Sequence, residues 1–390
     1  MAGPSDAKDS WQLVVAVTAA STIGTIPATL TGFLLGGLVD DRGFSAVEAG
    51  WMSTVEMTAV AGTAILAAPF MARLSVVPVA FCGASLALVA EFASTGIASF
   101  WLLAAARFAT GIGAGLVLAA ATAAAAAARD PDRLYGYVTS ALMLLLGLSV
   151  AGIGLVIERW GITGGYTLLG LVFLTLMPVL GWLAHAPRKR ALAVASGKLP
   201  RRPLAVLLAG TLVLGLGPGP TFALIERFGV NLGLTVERVG LFYSIAIVCG
   251  VAGCALAARS AGRWKRSRLI SLGLFATGIT CLSLGYTGSE LGYFVSIVLC
   301  WTTYMFVYTF LLATAAVFDP SGRVGPAAIG SLMIVLGLGP TLGGFLVTWG
   351  SYLLIGWFAL AICGLGALAV GLTGRSLDLA TAPPIPPGSA

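Results

Sequence analysis

Stretches of about twenty apolar residues follow one another along almost the whole chain, and the short segments between them carry most of the charged and turn-forming residues. An α-helix of that length crosses the hydrocarbon core of a bilayer and satisfies its own backbone hydrogen bonds there. The pattern therefore predicts an all-α integral membrane protein with twelve transmembrane helices. The predicted spans are residues 12–38, 46–70, 76–97, 100–126, 135–157, 163–184, 203–226, 238–258, 269–287, 291–317, 326–349 and 351–373.

The composition supports a membrane location, and the positions of the charges predict an orientation. Of 390 residues, 58% are hydrophobic and 9% are charged. Seventeen of the 22 Lys and Arg residues lie in the termini and the even-numbered loops, and such residues favour the cytoplasmic side. We therefore expect a multi-pass protein of the cell (inner) membrane with both termini in the cytoplasm. The net charge of +7 comes from basic segments beside the membrane, which indicates membrane lipids as partners and no nucleic acid.

Residue types that carry catalytic or metal chemistry are not arranged for it in this sequence. The six cysteines lie inside predicted spans at no metal-ligand spacing, so we interpret them as small packing residues. The one histidine, His185, lies at the cytoplasmic end of span 6, and no Ser/His arrangement or phosphate-binding loop is present. We expect no enzyme activity, no metal and no cofactor.

Similar segments recur at one offset in the two halves of the chain. The segment "GFSAVEAG" between spans 1 and 2 matches "GLTVERVG" between spans 7 and 8, at an offset of 190 residues. Two further pairs have offsets of 189 and 190. Three pairs at nearly one offset predict two six-helix bundles related by pseudo-symmetry. The three pairs begin at Gly43 and Gly233, at Asp130 and Asp319, and at Gly147 and Gly337.

The repeat divides the chain into five parts. These are a cytoplasmic N-terminus (1–11), an N-terminal six-helix bundle (12–184), a cytoplasmic linker (185–203), a C-terminal six-helix bundle (204–374) and a disordered cytoplasmic tail (375–390). The first repeated segment also has a local role, because Ser45 and Thr235 stand where a hydroxyl caps the amino terminus of a helix.

Span 4 contains the motif "RxxxGxGxG", formed by Arg107, Gly111, Gly113 and Gly115. This motif, the "GxSxxxxG" lead into span 2, the two halves and the basic linker resemble the major facilitator superfamily over nearly the whole chain. The resemblance implies that spans 1, 4, 7 and 10 line a central cavity between two rocking bundles. It also implies a secondary transporter of a small-molecule substrate.

Two departures from the family pattern bear on function. In the family, the loop between spans 2 and 3 carries a Gly, an Asp and paired basic residues, whereas here Arg73 is its only charged residue. Drug and proton antiporters of the family typically carry Gly-Pro-x-x-Gly-Gly in span 5, but the similar stretch here contains Gly339 and Pro340 and lies in span 11. These differences weaken an antiporter assignment.

By these boundaries, we interpret Glu56 and Arg107 as the only ionisable side chains well inside the predicted spans. They lie about ten and eight residues from the outer ends of spans 2 and 4, or roughly 15 and 12 Å deep, so they can pair. One interpretation is a fixed structural ion pair. The other is proton coupling, in which an anionic substrate takes over Arg107 and Glu56, left without its partner, takes up a proton. In that second interpretation Gly111 and Gly115 leave room beside the guanidinium, whereas in the first they serve close helix packing.

Other residues of the expected cavity helices are candidates for substrate binding or gating. Threonines form one face of span 1 and aromatic residues one face of span 10, although threonines often bond only their own helix and aromatic faces usually pack. Prolines in spans 1 and 7, at positions 191 residues apart, predict matched helix breaks. The candidate substrate-binding residues are Arg107, Gly111, Gly115, Thr22, Thr25, Thr29, Trp301, Tyr304 and Tyr308. The candidate gating residues are Pro27, Pro218, Pro220, Gly339 and Pro340. Four charged residues at the outer ends of spans 7 and 8, Glu226, Arg227, Glu237 and Arg238, are interpreted as solvated surface pairs.

Three functions remain open at the level of the sequence. The first is proton-coupled uptake (symport) of a small organic anion, by a monomer that alternates access to a central cavity. The second is proton-driven efflux of amphipathic or cationic compounds. The third is a receptor or assembly factor that has this fold and transports nothing.

Overall fold

The computed structural model describes residues 11–67, 70–72, 74–128, 131–186, 201–260, 263–318 and 324–380. Within these ranges the regular structure is helical, and no strand is present. The helices are α1 (Trp11–Arg42), α2 (Ala46–Ala67), α3 (Val76–Gly96), α4 (Phe100–Ala126), α5 (Pro131–Leu176), α6 (Arg201–Leu216), α7 (Gly219–Ala223), α8 (Ile225–Val230), α9 (Val236–Ser260), α10 (Arg266–Tyr286), α11 (Glu290–Phe318), α12 (Val324–Trp349), α13 (Tyr352–Thr373) and α14 (Arg375–Ala380). Short 3-10 segments cover Phe70–Ala72 and Met177–His185.

These helices agree with the twelve predicted spans. Ten segments of the described chain are long and apolar enough to cross a membrane. One of them, Tyr137–His185, contains both predicted spans 5 and 6. The two spans are separated within α5 at Gly161, whose φ of +63° is not helical. α2 lies at the second predicted span without being one of the ten. Predicted span 7 consists of α6, α7 and α8 in succession.

The two repeated turns fold alike, as the sequence predicts. Gly43 and Gly233 both adopt positive φ values, +68° and +83°, a conformation that glycine reaches without steric cost. Ser45 Oγ then accepts a hydrogen bond from the Glu48 backbone N–H at 3.2 Å, and Thr235 Oγ1 accepts one from the Arg238 N–H at the same distance. The predicted helix caps are therefore confirmed.

The helices form two bundles with equivalent internal contacts. In the N bundle, α1–α5, helix α4 packs against α2 and α3. In the C bundle, α6–α13, helix α11 packs against the corresponding helices α9 and α10. The largest contacts between the bundles are also an equivalent pair, α2 with α12 and α5 with α9. This symmetry is what the repeated sequence segments predict.

Polar contacts join the two bundles on the side of the α1–α2 turn, which we call the outer side. Arg227 in α8 pairs with Asp40 in α1 at 2.8 Å and donates a further hydrogen bond to the carbonyl of Gly36. Glu158 in α5 accepts a hydrogen bond at 2.8 Å from the backbone N–H of Val236, at the start of α9. The described bundles are therefore held together at their outer ends.

The charged residues near this seam are not all solvated pairs, which corrects one interpretation of the sequence. Glu226 is only 1% exposed, and its carboxylate lies 3.3 Å from Nε of Arg227. Arg238, by contrast, forms an exposed pair with Glu290 at 2.6 Å. The sequence did not distinguish the two because both places have neighbouring acidic and basic residues.

The predicted helix break in span 1 and the predicted start of the disordered tail need correction. α1 continues through Pro27, so the helix breaks in spans 1 and 7 are not matched. A single proline removes one helical hydrogen bond, and neighbouring groups can make good that loss inside a membrane.

The first residues of the predicted tail, 375–380, form α14, where Leu377 is buried and Asp378 binds Ser267 at 2.6 Å. Residues 187–200 of the linker and 381–390 of the tail lie outside the described residues.

Candidate functional site

A cavity of about 150 Å³ lies between the two bundles. Helices α1, α2 and α5 form its walls on one side, and α7, α9, α11 and α12 form them on the other. None of the residues described as lining it carries a charged side chain. The lining consists of Thr25, Ala28, Thr29, Thr31, Met57, Leu142, Met143, Leu146, Gly219, Phe222, Ala223, Tyr243, Trp301, Tyr304, Met305, Tyr308, Met333, Leu336 and Pro340.

Aromatic rings from three helices form one wall of the cavity. The ring of Trp301 lies 5.1 Å from that of Phe222 and 5.7 Å from that of Tyr243, between centroids. Tyr304 meets Phe222 edge-on at 5.0 Å, and its ring is parallel to that of Tyr308 at 6.3 Å. The three predicted aromatic residues of span 10 therefore both pack with one another and line the cavity. The indole nitrogen of Trp301 is buried, and its polar neighbour among the described residues is the Tyr243 hydroxyl, which does not meet it with normal hydrogen-bond geometry.

The threonine face of span 1 contributes hydroxyl oxygens to the opposite wall. Thr25 donates to the carbonyl of Ser21 at 2.8 Å, and Thr29 donates to the carbonyl of Thr25 at 3.2 Å. Both hydroxyl groups use their proton on the helix backbone, so they can offer a substrate only an accepting oxygen. Thr22 is buried, donates to Thr18 at 2.8 Å and is not among the lining residues.

The buried charges lie inside the N bundle. Arg107 in α4 is 1% exposed and makes two parallel hydrogen bonds to Glu91 in α3, at 3.0 and 3.2 Å. The guanidinium also donates to Ser94 Oγ at 2.5 Å and lies 4.6 Å from the centroid of the Tyr166 ring. Glu56 in α2 is the more distant partner, with its Oε1 3.6 Å from the nearest guanidinium nitrogen.

This cluster contains one carboxylate more than its arginine can neutralise. Glu91 takes the bidentate position, which is the strongest arrangement between an arginine and a carboxylate. Glu56 Oε1 is buried and has no hydrogen-bond partner in the part of the chain that the structure describes. A buried charge without full compensation is costly, so a proton on Glu56 relieves the cluster at the least loss of pairing. Of the two carboxyl groups, Glu56 is therefore the one that can take up a proton with the smaller loss of hydrogen bonds to Arg107.

Glycines in α4 serve close packing, which is one of the two interpretations of the sequence. A Cβ atom at Gly115 would lie 2.5 Å from the carbonyl oxygen of Val60 in α2. A Cβ atom at Gly111 would lie 2.6 Å from Cβ of Ala59 and would also overlap the carbonyl of Glu56. Neither glycine is among the lining residues of the cavity. They bring α4 close enough to α2 for Arg107 to reach Glu56.

The structure does not bring Arg107 to the cavity, so the hypothesis that a substrate anion binds it needs correction. The guanidinium is enclosed by α2, α3 and Tyr166 within one bundle. Glu91 is a third ionisable residue of the cluster that the interpretation of the spans did not include, although it lies inside predicted span 3, six residues from its outer end. The sequence alone is sufficient to predict a role for Glu91, because a glutamate inside a span needs a buried partner as much as an arginine does.

The family model of the Major Facilitator Superfamily matches residues 17–337. The chain belongs to this superfamily. The resemblance stated from the sequence is thereby confirmed. The protein is a membrane transporter and not an enzyme.

Solved structures of other members of the superfamily have the same fold. The D-xylose-proton symporter superposes with a TM-score of 0.72 at 14% identity, over 92% of this chain and 97% of that one. The nucleoside transporter NupG gives 0.68 at 13% identity, over 93% and 99%. A bacterial homolog of the human lysosomal transporter Spinster gives 0.68 at 15% identity, over 94% and 93%. No curated protein sequence matches the chain at a significant level.

In this member of the superfamily, α2 connects the buried charges, the cavity and the contact between bundles. Glu56 is followed by Met57, which lines the cavity. A Cβ atom at Gly337 of α12 would lie 2.6 Å from Cβ of Met57. One turn earlier, the hydroxyl groups of Thr54 and Thr341 are hydrogen-bonded across the bundles at 2.7 Å. A shift of α2 caused by a change of charge on Glu56 would therefore reach all three places.

The predicted gating residues of the C bundle lie close together, and Pro340 is the one among them that lines the cavity. Span 7 breaks between Leu216 and Gly219, with Pro218 in the break and Pro220 in the first turn of α7. A Cβ atom at Gly339 would lie 2.5 Å from the carbonyl carbon of Gly219, so the break packs directly on α12 beside Pro340. Their role in gating stays a prediction.

Proposed function

We propose that this transporter carries out proton-coupled uptake of a small uncharged organic molecule that has a ring and a hydrogen-bond acceptor. The observation that carries the proposal is the separation of two sites: an aromatic cavity with no charged lining residue among those described, and a charge cluster beside it. The proposal keeps the symport predicted from the sequence and replaces the organic anion.

The chemistry of the cavity supports the substrate class. An apolar cavity of about 150 Å³ is large enough for a single benzene-sized ring. An anion or a cation would lose its hydration without meeting an opposite charge, which is unfavourable in a region of low dielectric. The indole N–H of Trp301 offers a hydrogen bond to an accepting group, and removal of that donor tests whether a substrate uses it.

The separation of the sites supports symport. An antiporter most simply lets a cationic substrate and a proton compete for one carboxylate, but no carboxylate is among the lining residues described for this cavity. A proton on Glu56 leaves the cavity free, so the proton and the substrate can be bound at once. The D-xylose-proton symporter, which has the same fold, is named for this kind of coupling.

Proteoliposomes test the coupling through Glu56→Gln. The amide mimics the protonated carboxyl, so the variant should exchange substrate across the membrane at close to the wild-type rate and lose accumulation driven by a pH gradient. Substrates for the assay come from a thermal-shift screen of neutral ring compounds, organic acids and organic cations. Accumulation by Glu56→Gln equal to that of the wild type would refute the assigned proton site, and stabilisation by organic acids alone would refute the substrate class.

The same assay separates the other functions. Expulsion of substrate against its gradient when the outside is acidic identifies proton-driven efflux of amphipathic compounds. Absence of movement under either gradient, with ligand bound, identifies a receptor.

Trp301→Phe keeps a ring and removes the N–H, so it should weaken binding by about 1 kcal/mol, while Trp301→Ala should weaken it by a further ~1 kcal/mol. Tyr308→Phe provides a comparison in the same wall.

We further propose that the protein works as a monomer in the inner membrane, with both termini in the cytoplasm. The distribution of Lys and Arg, 17 of which lie in the termini and even-numbered loops, supports the orientation, and the monomer and the inner membrane remain expectations from the sequence.

A further inference from the structure

A second concave site lies on the surface of the C bundle, between α6 and α13, and has a volume of about 510 Å³. Its walls include Ala205 and Ala209 of α6 and Ala369 of α13, all of which are exposed. Small side chains on both helices leave a channel between the two backbones that no described part of the chain fills. The channel begins at the predicted cytoplasmic end of α6 and extends toward the middle of the membrane.

The end of the groove at the predicted membrane surface is polar and positively charged. Arg202 and Thr373 line the groove there, and both are exposed. Arg201 precedes Arg202, and Arg375 follows Thr373 by two residues at the start of α14, which packs on α6. The groove thus combines an apolar channel with one lining arginine, Arg202, and has two further arginines nearby in sequence at the same ends of the helices.

We propose that this groove binds an anionic phospholipid of the cytoplasmic leaflet. One acyl chain lies along the alanine walls, and the headgroup phosphate pairs with Arg202. Basic pockets between transmembrane helices on the cytoplasmic side are suited to such headgroups, and an arginine fits the oxygens of a phosphate with two hydrogen bonds. The site is independent of the cavity and of the proposed substrate.

Charge also argues against a second copy of the chain as the occupant. A two-fold contact through the groove places the same surface of both copies together, so it would bring Arg202 of one copy close to Arg202 of the other. Like charges in contact are unfavourable. An anionic lipid satisfies both parts of the groove at once.

Native mass spectrometry of the full chain in detergent tests the site. The protein is titrated with phosphatidylglycerol or with phosphatidylcholine that has the same acyl chains. We expect one tightly held phosphatidylglycerol and much weaker phosphatidylcholine. Arg202→Gln should weaken phosphatidylglycerol binding about fivefold, the equivalent of about 1 kcal/mol for one basic residue at the membrane surface. Ala209→Leu fills the channel and should abolish the tight binding.

Matched variants control for general effects. Arg268→Gln removes an exposed charge from α10 at the same predicted face, and Ala252→Leu enlarges an exposed alanine of α9 that lies outside the groove. Both should bind as the wild type does. Equal binding of the two lipids, equal losses in Arg202→Gln and Arg268→Gln, unchanged binding in Ala209→Leu, or a dimer that Ala209→Leu disrupts would each overturn the proposal. All four positions are exposed, and thermal unfolding verifies that the variants are folded.

Discussion

At the scale of single residues, the two buried carboxyl groups beside Arg107 differ in how closely each one pairs with the guanidinium. Glu91 accepts two hydrogen bonds from the guanidinium, whereas Oε1 of Glu56 lies 3.6 Å from it and has no hydrogen-bond partner among the described residues. The sequence offers a fixed ion pair and a proton site as alternatives for one pair, and we propose that the two roles are divided between two carboxyl groups. Glu91 has the geometry of a structural partner, and Glu56 is the carboxyl group that we assign to the proton.

Stability measurements distinguish the two carboxyl groups. Glu91→Gln should lower the free energy of unfolding by about 3–5 kcal/mol, because it leaves Arg107 with a remote partner in an apolar interior. Glu56→Gln should change it by about 1 kcal/mol or less, because the bidentate pair remains. Thermal unfolding in detergent, followed by fluorescence, provides the comparison.

A combined variant verifies the cause. Replacing Glu91 with Leu and Arg107 with Met in the Glu56→Gln background removes all three charges of the cluster at similar volume and should recover most of the stability lost in Glu91→Gln. A larger loss in Glu56→Gln than in Glu91→Gln would contradict the assignment.

At the scale of helices, glycines mark two kinds of close contact that have different consequences. Gly111 and Gly115 join α4 to α2 within the N bundle, a contact that has no need to change during transport. Gly50 joins α2 to α12 between the bundles, where an added Cβ atom would lie 2.5 Å from the carbonyl oxygen of Pro340. The same substitution should therefore damage the fold at one place and shift the conformation at the other.

Alanine substitutions test this distinction. Gly111→Ala should destabilise the protein by about 1–3 kcal/mol, because the added methyl group meets the backbone of α2. Gly50→Ala should leave the unfolding temperature nearly unchanged and increase the access of an impermeant maleimide from outside to a cysteine placed at Ala28, in the cavity. Gly62→Ala in α2, whose Cβ atom would have no neighbour within 4 Å, is the control and should raise stability slightly. Equal loss of folded protein in Gly50→Ala and Gly111→Ala would show that the two contacts are alike.

At the scale of the whole molecule, the bundles meet at the outer side and the cavity lies beyond that contact. Transport by alternating access requires the outer contacts to open, and the pair of Arg227 with Asp40 is one of the polar contacts that oppose it. Asp40 is about half exposed, so the pair alone contributes no more than about 1 kcal/mol. The additional hydrogen bond to the Gly36 carbonyl adds about the same again.

Arg227→Gln should therefore shift the population toward an outward-open form by about fivefold to thirtyfold. The measurement is the rate at which an impermeant maleimide labels a cysteine at Ala28 from outside, in a background without the six native cysteines. Cysteines at Gly288 and Trp264 verify the orientation, since the first should label in intact cells and the second should not. Equal labelling rates at Ala28 with and without Arg227 would show that this pair does not keep the outer side closed.

The sequence by itself determined the helices, the repeat and the caps, because each depends on residues close together in the chain. Apolar length defines a membrane span, and Ser45 and Thr235 act within three residues of the groups that they cap. Tertiary structure decided which side chains meet. Glu56 and Glu91 are both deep acidic residues in spans beside α4, and only the packing of α3 gives Glu91 the bidentate position. The same packing turns Arg107 away from the cavity, since a helix in a bundle has several buried faces and periodicity does not tell which one faces the cavity.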